Sequence, residues 1–250
     1  MFLGGNMKTV LVTGSSKGIG RATIIEFAKL GYNVVINYFN SEKEALELKT
    51  LVQTKYNVKA LVIKCDISNE KEVKLMIKEI IDKFKQIDIL VNNAGIAIDN
   101  SIDLKNSKEF KKVLDVNLLG PYLVTKYASK YMLERKCGNI IFISSTNGID
   151  TNYEYSIDYD ASKAGVISLM KNFAIILSPH IRVNTIAPGW TNTESVLIDL
   201  DESFRKKENS NILLNRFAEP NEIAKVVIFL ASDLASYINN AVIRVDGGIK

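Results

Sequence analysis

The sequence predicts an α/β fold of the doubly wound kind, a mainly parallel seven-stranded sheet with helices on both faces. Three observations predict it. Short β-branched runs alternate with longer amphipathic stretches from end to end, the pattern of strand–helix–strand crossovers. A glycine-rich turn joins the first such run to the first helical stretch. No repeat, low-complexity tract or Pro/Gly/Ser-rich linker breaks the alternation, and Pro121, Pro179, Pro188 and Pro220 sit singly at element boundaries. Residues 1–250 therefore read as one domain.

Taken in order, strands are expected at 9–12, 33–38, 58–65, 87–91, 139–143, 181–186 and 241–245. Helical patterns fill the intervals at 18–30, 42–55, 70–84 and, as one long helix, 107–134. A further helical pattern carries Tyr159 and Lys163 and runs through Leu177. The segment 189–216 departs from the rhythm. It mixes Thr, Asn and acidic residues with the apolar patch Val196, Leu197 and Ile198, then Arg205-Lys206-Lys207. A long insertion directly after a strand suits a substrate lid, and a solvated pair of surface helices is its structural alternative.

Composition excludes several classes of function. With 47% hydrophobic and 24% charged residues over 250 positions, the chain has the make-up of a globular protein, and a core burying roughly three quarters of its extended surface is expected. The excess of 32 Lys+Arg over 28 Asp+Glu gives a net charge of +4, scattered rather than gathered into the basic stripe that nucleic acid would require. One histidine, His180, and two cysteines, Cys65 and Cys137, cannot build a His/Cys metal cage, so no metal site is expected. A Ser-His-Asp triad would have to use His180, in the turn-like Ser178-Pro179-His180. Two distant cysteines suit a reducing compartment. No apolar run approaches the roughly 18 residues that span a membrane. Residues 1–6 are too short and uncharged for a signal peptide, so a cytoplasmic location is expected.

The first candidate site is the turn Thr13-Gly14-Ser15-Ser16-Lys17-Gly18-Ile19-Gly20. Between a strand and a helix, such a turn lets main-chain N–H groups approach a pyrophosphate at the helix N-terminus. Its G-x-x-x-G-x-G spacing differs by one residue from the common dinucleotide fingerprint, and no Gly-Lys-Ser/Thr ends it, so it is not a Walker loop. In an NAD site an acid at the end of the second strand binds the ribose 2′-hydroxyl. Here that strand ends Ile36-Asn37-Tyr38-Phe39 and the next acid is Glu42. Nothing anionic is expected to repel a 2′-phosphate, and Lys17 is placed to pair with one. NADP(H) is the preferred cofactor on this reading, with NAD(H) as the alternative.

A second set of residues follows in order: Cys65-Asp66-Ile67, Asn92-Asn93-Ala94-Gly95, Asp115-Val116-Asn117, Ser144-Ser145, Tyr159-x-x-x-Lys163, Pro188-Gly189 and Val245-Asp246-Gly247-Gly248. With the turn at 13–20, these motifs make the sequence resemble the short-chain dehydrogenase/reductase family from Thr13 to Gly248. The resemblance implies a Rossmann-like fold and a catalytic set of Asn117, Ser145, Tyr159 and Lys163. It gives Lys163 the nicotinamide ribose, Ser145 the substrate oxygen, and Asn117 a proton-relaying water. It implies cofactor contacts from Gly14, Ser16, Lys17, Gly18, Ile19 and Gly20, and from Asn37 and Tyr38. Asp66 and Ile67 would flank the adenine, and Asn93, Ala94 and Gly95 would run beside its ribose. Pro188, Gly189, Thr191 and Thr193 would cradle the carboxamide. A homotetramer is implied as well, with the two long helices packed across subunits.

The chemistry can also be argued directly. Tyr159 and Lys163 are four apart and share a helix face. A free tyrosine, with a pKa near 10, is a reluctant acid–base at neutral pH. The neighbouring ammonium and the positive nicotinamide of an oxidised cofactor are expected to lower that pKa. Tyr159 would then give a proton to a carbonyl in reduction, or take one from an alcohol in oxidation. Within the family the pattern is most similar to 3-oxoacyl-[acyl-carrier protein] reductases, so a 3-oxoacyl thioester is the leading substrate. Sugar and polyol dehydrogenases share nearly the same motifs, and a non-catalytic NADP(H) sensor is the reading from another class. For a carrier protein, Lys136 with Arg135 would supply one basic contact and His180 a weaker second. Asp150, Glu154, Asp158 and Asp160, with no basic residue from 150 to 160, make the expected substrate rim acidic. Asp160 on its own suits a helix start.

Overall fold

The computed structural model describes residues 7–194 and 201–249, so the expectations for 1–6 and for Val196, Leu197 and Ile198 lie outside the described residues. The strands are β1 (Thr9–Val12), β2 (Asn33–Tyr38), β3 (Ala60–Lys64), β4 (Ile89–Asn92), β5 (Gly138–Ile143), β6 (Ile181–Pro188) and β7 (Val242–Val245). They form one seven-stranded sheet in the order β3-β2-β1-β4-β5-β6-β7, each neighbouring pair parallel. The helices are α1 (Gly18–Lys29), α2 (Glu42–Tyr56), α3 (Glu70–Phe84), α4 (Ser107–Leu114), α5 (Gly120–Glu134), α6 (Ile157–Leu177), α7 (Glu202–Ser210) and α8 (Pro220–Ala231). This is the Rossmann-like, doubly wound arrangement.

The strands read as nearly continuous apolar runs because both faces are covered, and their period of two divides the side chains between two cores. Leu11, Val35, Leu90, Ile140 and Phe142 face α3, α5 and α6. Val10, Val12, Val34, Ile36, Val91 and Ile141 face α1, α2 and α8. Burying each such side chain contributes about 1.5–3 kcal/mol. Among the helices, α3 shows the local logic most plainly. Asn69 caps it by accepting from the N–H groups of Lys71 and Glu72, and Val73, Met76, Ile77, Ile80 and Phe84 form its buried stripe.

The helix expected at 107–134 is interrupted. A π-helical turn, Asp115–Leu119, separates α4 from α5. At its end, a Cβ on Gly120 would lie 2.6 Å from Ile67 Cδ1, so any larger residue there would require the Ile67 side chain to move. Inside it, Asn117 is buried and aimed at the β4–α4 loop rather than at solvent. Apolar periodicity reports which face is buried and is blind to one widened turn.

The strand order reverses between β1 and β4. β2 and β3 lie to one side of this point and β5, β6 and β7 to the other. Doubly wound sheets bind ligands in the crevice that opens there, at the carboxyl ends of the strands. His180, by contrast, is exposed and directly precedes β6, at the opposite edge of the sheet.

Candidate active site

The turn after β1 is built by its neighbours. Gly14 N–H donates to Asn37 Oδ1 at 3.0 Å and Ser15 N–H to the Asn37 carbonyl at 2.9 Å. Asn37 Nδ2 in turn donates to the carbonyls of Tyr38, Ile63 and Cys65. Its buried side chain is thus spent on the protein, and Asn37 acts as a brace under the turn. Thr13 Oγ1 accepts from Asn93 N and Ala94 N, while Asn93 Nδ2 donates to the carbonyls of Thr13 and Gly14. The stop of β4 therefore has a structural duty in full view.

Two glycines are sterically required. Gly14 has φ +59°, and a Cβ there would sit 2.8 Å from Ala94 Cα. A Cβ on Gly20 would lie 2.6 Å from Asn93 Nδ2 and 2.7 Å from the Gly14 carbonyl. The cradle so formed fits a dinucleotide phosphate. Its Ser15 hydroxyl is buried with no hydrogen-bond partner among the described residues, and its Gly18 N–H opens α1. Glu194 already demonstrates the polarity of that N-terminus, since its Oε2 accepts from Gly18 N at 3.0 Å. Thr193 sits beside it, with Cγ2 3.1 Å from the Cβ position of Gly18, so it lies over the phosphate turn.

At the ribose end the expectation needs correcting. No acid was expected to face this corner, yet Lys17 Nζ is paired with Glu44 Oε1 at 2.9 Å, and the Tyr38 hydroxyl donates to Glu42 Oε1 at 3.0 Å. The reason is spatial. Counting along the chain found no acid at the strand end, but the first turn of α2 swings Glu42 and Glu44 back toward the glycine turn.

The catalytic candidates converge at the ends of β4 and β5. Lys163 is buried, and its Nζ donates to the Ile143 carbonyl at 3.0 Å and lies 5.3 Å from the Tyr159 ring centroid. A Cβ on Gly95 would be 3.4 Å from both Lys163 Nζ and Asn117 Oδ1, so these two groups meet across a glycine. Asn117 Oδ1 accepts from Ile96 N at 2.8 Å, and its Nδ2 donates to the Ile96 carbonyl and to Ser162 Oγ. Its amide is thus committed to the β4–α4 loop and to α6. The Ser145 hydroxyl lies close enough to Tyr159 to favour its phenolate, while its own hydrogen bonds go to Asn147: it accepts from Asn147 N at 3.2 Å and donates to Asn147 Oδ1 at 3.4 Å.

The protein's own groups set the tyrosine's starting point before any cofactor is bound. Desolvation pushes the Tyr159 phenol up to about 12, aided by Asp160 and Asp99, and the nearby Ser145 hydroxyl only partly offsets this. Burial alone brings the Lys163 ammonium down to about 8. The expected lowering belongs to the loaded site, with the positive nicotinamide of an oxidised cofactor in place; in the protein alone the cost of removing a phenolate from water dominates. A phenol that holds its proton is a donor, which suits protonation of a carbonyl oxygen.

The remaining predicted residues frame this centre. Asp66 Oδ1 accepts from Ser68 N and Oγ, Ile67 is buried beneath Gly120, and Pro188 ends β6 with Gly189 directly after it. Thr191 Oγ1 donates to the Gly189 carbonyl at 3.1 Å. Asp160 does more than favour a helix start: it accepts from Asn147 Nδ2 at 2.6 Å and from Tyr153 N at 3.0 Å, pinning the rim. Sequence reasoning missed Glu44, Glu194 and the aromatic wall of the mouth. In that wall Tyr155, Tyr153, Phe204, Trp190 and Phe217 follow one another ring to ring at 5.5, 6.4, 5.7 and 5.5 Å. It missed the pairing of Lys105 with Asp158 too, for which only the acid beside Tyr159 gave a signal.

A family model described as enoyl-(acyl carrier protein) reductase matches residues 14–250. The chain belongs to the short-chain dehydrogenase/reductase family. This short-chain dehydrogenase/reductase is 38% identical over 243 residues to the 3-oxoacyl-[acyl-carrier-protein] reductase of Aquifex aeolicus, covering 97% of each chain. It is likewise 38% identical to the Staphylococcus aureus enzyme of that name, over 97% of this chain and 98% of the other, and 36% identical to that of Thermotoga maritima, over 97% of each. A solved levodione reductase superposes with a TM-score of 0.89 at 33% identity, covering 96% of both chains. Family membership makes the chain an oxidoreductase. Among its described residues, no helix is long and apolar enough to cross a membrane.

Proposed function

We propose that this oxidoreductase reduces a carbonyl to a secondary alcohol with NADP(H), and that a 3-oxoacyl thioester is its substrate. The observation that carries the reading is Tyr159 with Lys163 Nζ 5.3 Å from its ring centroid, at the end of β5 where Ser145 follows, beside a phosphate cradle. When bound, the nicotinamide supplies or accepts the hydride. Ser145 orients the carbonyl oxygen by hydrogen bonding. Tyr159 delivers a proton to that oxygen, and Lys163 stabilises the phenolate left behind. Asn117 holds the Ile96 end of the β4–α4 loop against α6, which keeps Lys163 and the loop in register. Gly14, Ser15, Ser16, Gly18 and Gly20 cradle the pyrophosphate, and Lys17 turns from Glu44 to the 2′-phosphate. Residues 189–216 act as the substrate lid, and the molecule is a cytoplasmic, single-domain homotetramer.

The expected rim is less acidic than its sequence, because Asp158 is buried against Lys105 and Asp150 is paired with Arg244 at 2.6 Å. The acids that remain around Tyr153 favour a second reading, a reductase of small uncharged ketones that works equally as a dehydrogenase of sugars, polyols or other secondary alcohols. Asp99, Glu154 and Glu208 surround Tyr153 closely enough to raise its phenol, after the larger effect of burial. Arg135 is bonded to Asp88 at 2.7 Å rather than free for an acidic carrier protein, which leaves the exposed Lys136 and His180 to meet one.

Absorbance at 340 nm with NADPH across acetoacetyl thioesters, small ketones, quinones and sugars separates these readings. Preference for the thioester is expected. Turnover confined to free ketones or sugars would select the second reading, and NADPH binding without turnover of any carbonyl would point to a sensor. Tyr159→Phe should lower kcat/KM by about a hundredfold or more, and full activity in that variant would remove the tyrosine from the mechanism.

A further inference from the structure

One buried charge pair beside the catalytic helix has no part in the chemistry described so far. Lys105 Nζ lies 3.0 and 2.9 Å from Asp158 Oδ1 and Oδ2, and the two side chains are 3% and 0% exposed. The ammonium also donates to the Ile98 carbonyl. Asp158 is the residue before Tyr159, and its Oδ1 accepts from Tyr159 N at 3.0 Å. Lys105 directly precedes Asn106, which caps α4 through a complete capping box with Glu109, so the lysine hangs from a fixed point. Two further bonds join the same segments: Asn100 N donates to the Tyr155 carbonyl at 3.0 Å, and Ser156 Oγ donates to Asp99 Oδ1.

We propose that Lys105 and Asp158 form a positioning pair that locks the start of the Tyr159 helix onto the β4–α4 loop and keeps the charge beside the phenol balanced. The inference rests on the acid–base role of Tyr159 proposed above. A buried ion pair is a poor source of stability, because desolvation consumes most of its Coulombic gain and apolar residues of like volume do as well. Its distinctive property is directional: three acceptors on two chain segments converge on one ammonium. Its charge balance has a consequence for the phenol. Tyr159 faces Asp160 and Lys163 from its own helix, Ser145 from the end of β5, and Asp99 from the β4–α4 loop. Two carboxylates already oppose the phenolate. Without Lys105, Asp158 would add a third; without Asp158, Lys105 would be an unbalanced cation.

The pair therefore predicts opposite displacements in its two single variants. With NADP+ saturating, the acid limb of kcat/KM for alcohol oxidation reports the loss of the Tyr159 proton. Lys105→Met should move that limb up by about half a pH unit or more, and Asp158→Asn should move it down by a similar amount. The double variant should bring the limb back to the native position while kcat stays below native at unchanged KM, since the charge is rebalanced but the clasp is lost. Movement of both single variants in one direction, or no movement in either despite a lower melting temperature, would reduce the pair to a structural role. Should Lys105→Met not fold, the double variant decides: a limb at the Asp158→Asn position instead of the native one overturns the proposal. Failure of the underlying reading looks different, because Tyr159→Phe would then retain both activity and limb.

Discussion

Tyr159 and Lys163 are four residues apart on one helix, yet their surroundings drive their proton affinities in useful directions. The phenol is held up at about 12 and the ammonium down at about 8. In the ligand-free protein the first group to titrate on the alkaline side is accordingly the lysine. We expect kcat/KM for NADPH to fall above about pH 8 as Lys163 discharges; a limb beyond pH 10 would assign the loss to Tyr159. Stability should respond with a definite sign. Lys163 has a depressed folded pKa, so between about 8 and its ordinary 10.5 the unfolded chain binds more protons, and stability from this group rises across that window. Tyr159, raised from 10.0 to about 12, acts oppositely above pH 10. Urea unfolding of the native protein and Lys163→Met between pH 7.5 and 10 should show the rise only in the native chain. Glu194 offers a third test at this scale. Its carboxylate on Gly18 N competes for the N-terminus of α1, so Glu194→Gln should tighten NADPH binding roughly two- to fivefold in a fluorescence titration. Equal or weaker binding would show that the contact does not compete.

Elements show where sequence reading succeeds and where it stops. β1, β2 and α3 are legible to the residue, because buried β-branched runs and an Asn69-capped amphipathic stripe are local signals. Tyr159, Lys163 and Asn117 were legible as candidates through spacing and family motif, and the structure brings Lys163 and Asn117 together across Gly95. The π turn at Asp115–Leu119 was not legible, because the contacts made at it, of Asn117 with Ile96 and of Gly120 with Ile67, are with residues about 20 and 50 positions away. Nor were the contacts of Glu44 with Lys17 and of Glu194 with Gly18, which depend on how separate elements approach. Such long-range constraints still enter through local anchors. Asn106 accepts from the N–H groups of Lys108 and Glu109 at 3.1 Å each, fixing both the start of α4 and the base of the loop that carries Lys105. Removing the cap with Asn106→Ala should cost about 1 kcal/mol in urea unfolding. A loss under a few tenths would mean the start of α4 is held by packing on α6 alone.

At the scale of the molecule, the monomer leaves apolar surface that neither core uses. Leu119, Tyr122 and Leu133 along the π turn and α5, and Ile157, Ile175 and Ile176 on α6, are exposed, although both helices bury their other faces against the sheet. Single exposed apolar side chains are ordinary, but several on two adjacent helices form the kind of surface a second copy covers. The proposed homotetramer gives these residues an occupant, and it also bears on catalysis, since α6 carries Tyr159 and Lys163 and its outer face would be braced by a neighbour. Light scattering should return a mass near four times the 27.9 kDa of one chain. Ile176, 68% exposed in the monomer, is the discriminating position. Ile176→Asp places a charge where water already reaches in a single copy, so it should leave the monomer's fold nearly intact yet oppose burial of the outer face of α6 between copies. Smaller assemblies with unchanged far-ultraviolet dichroism are the expected result. A native protein running as a monomer would remove the tetramer. An intact tetramer carrying Ile176→Asp would move the interface away from α6 and leave that outer face to another role.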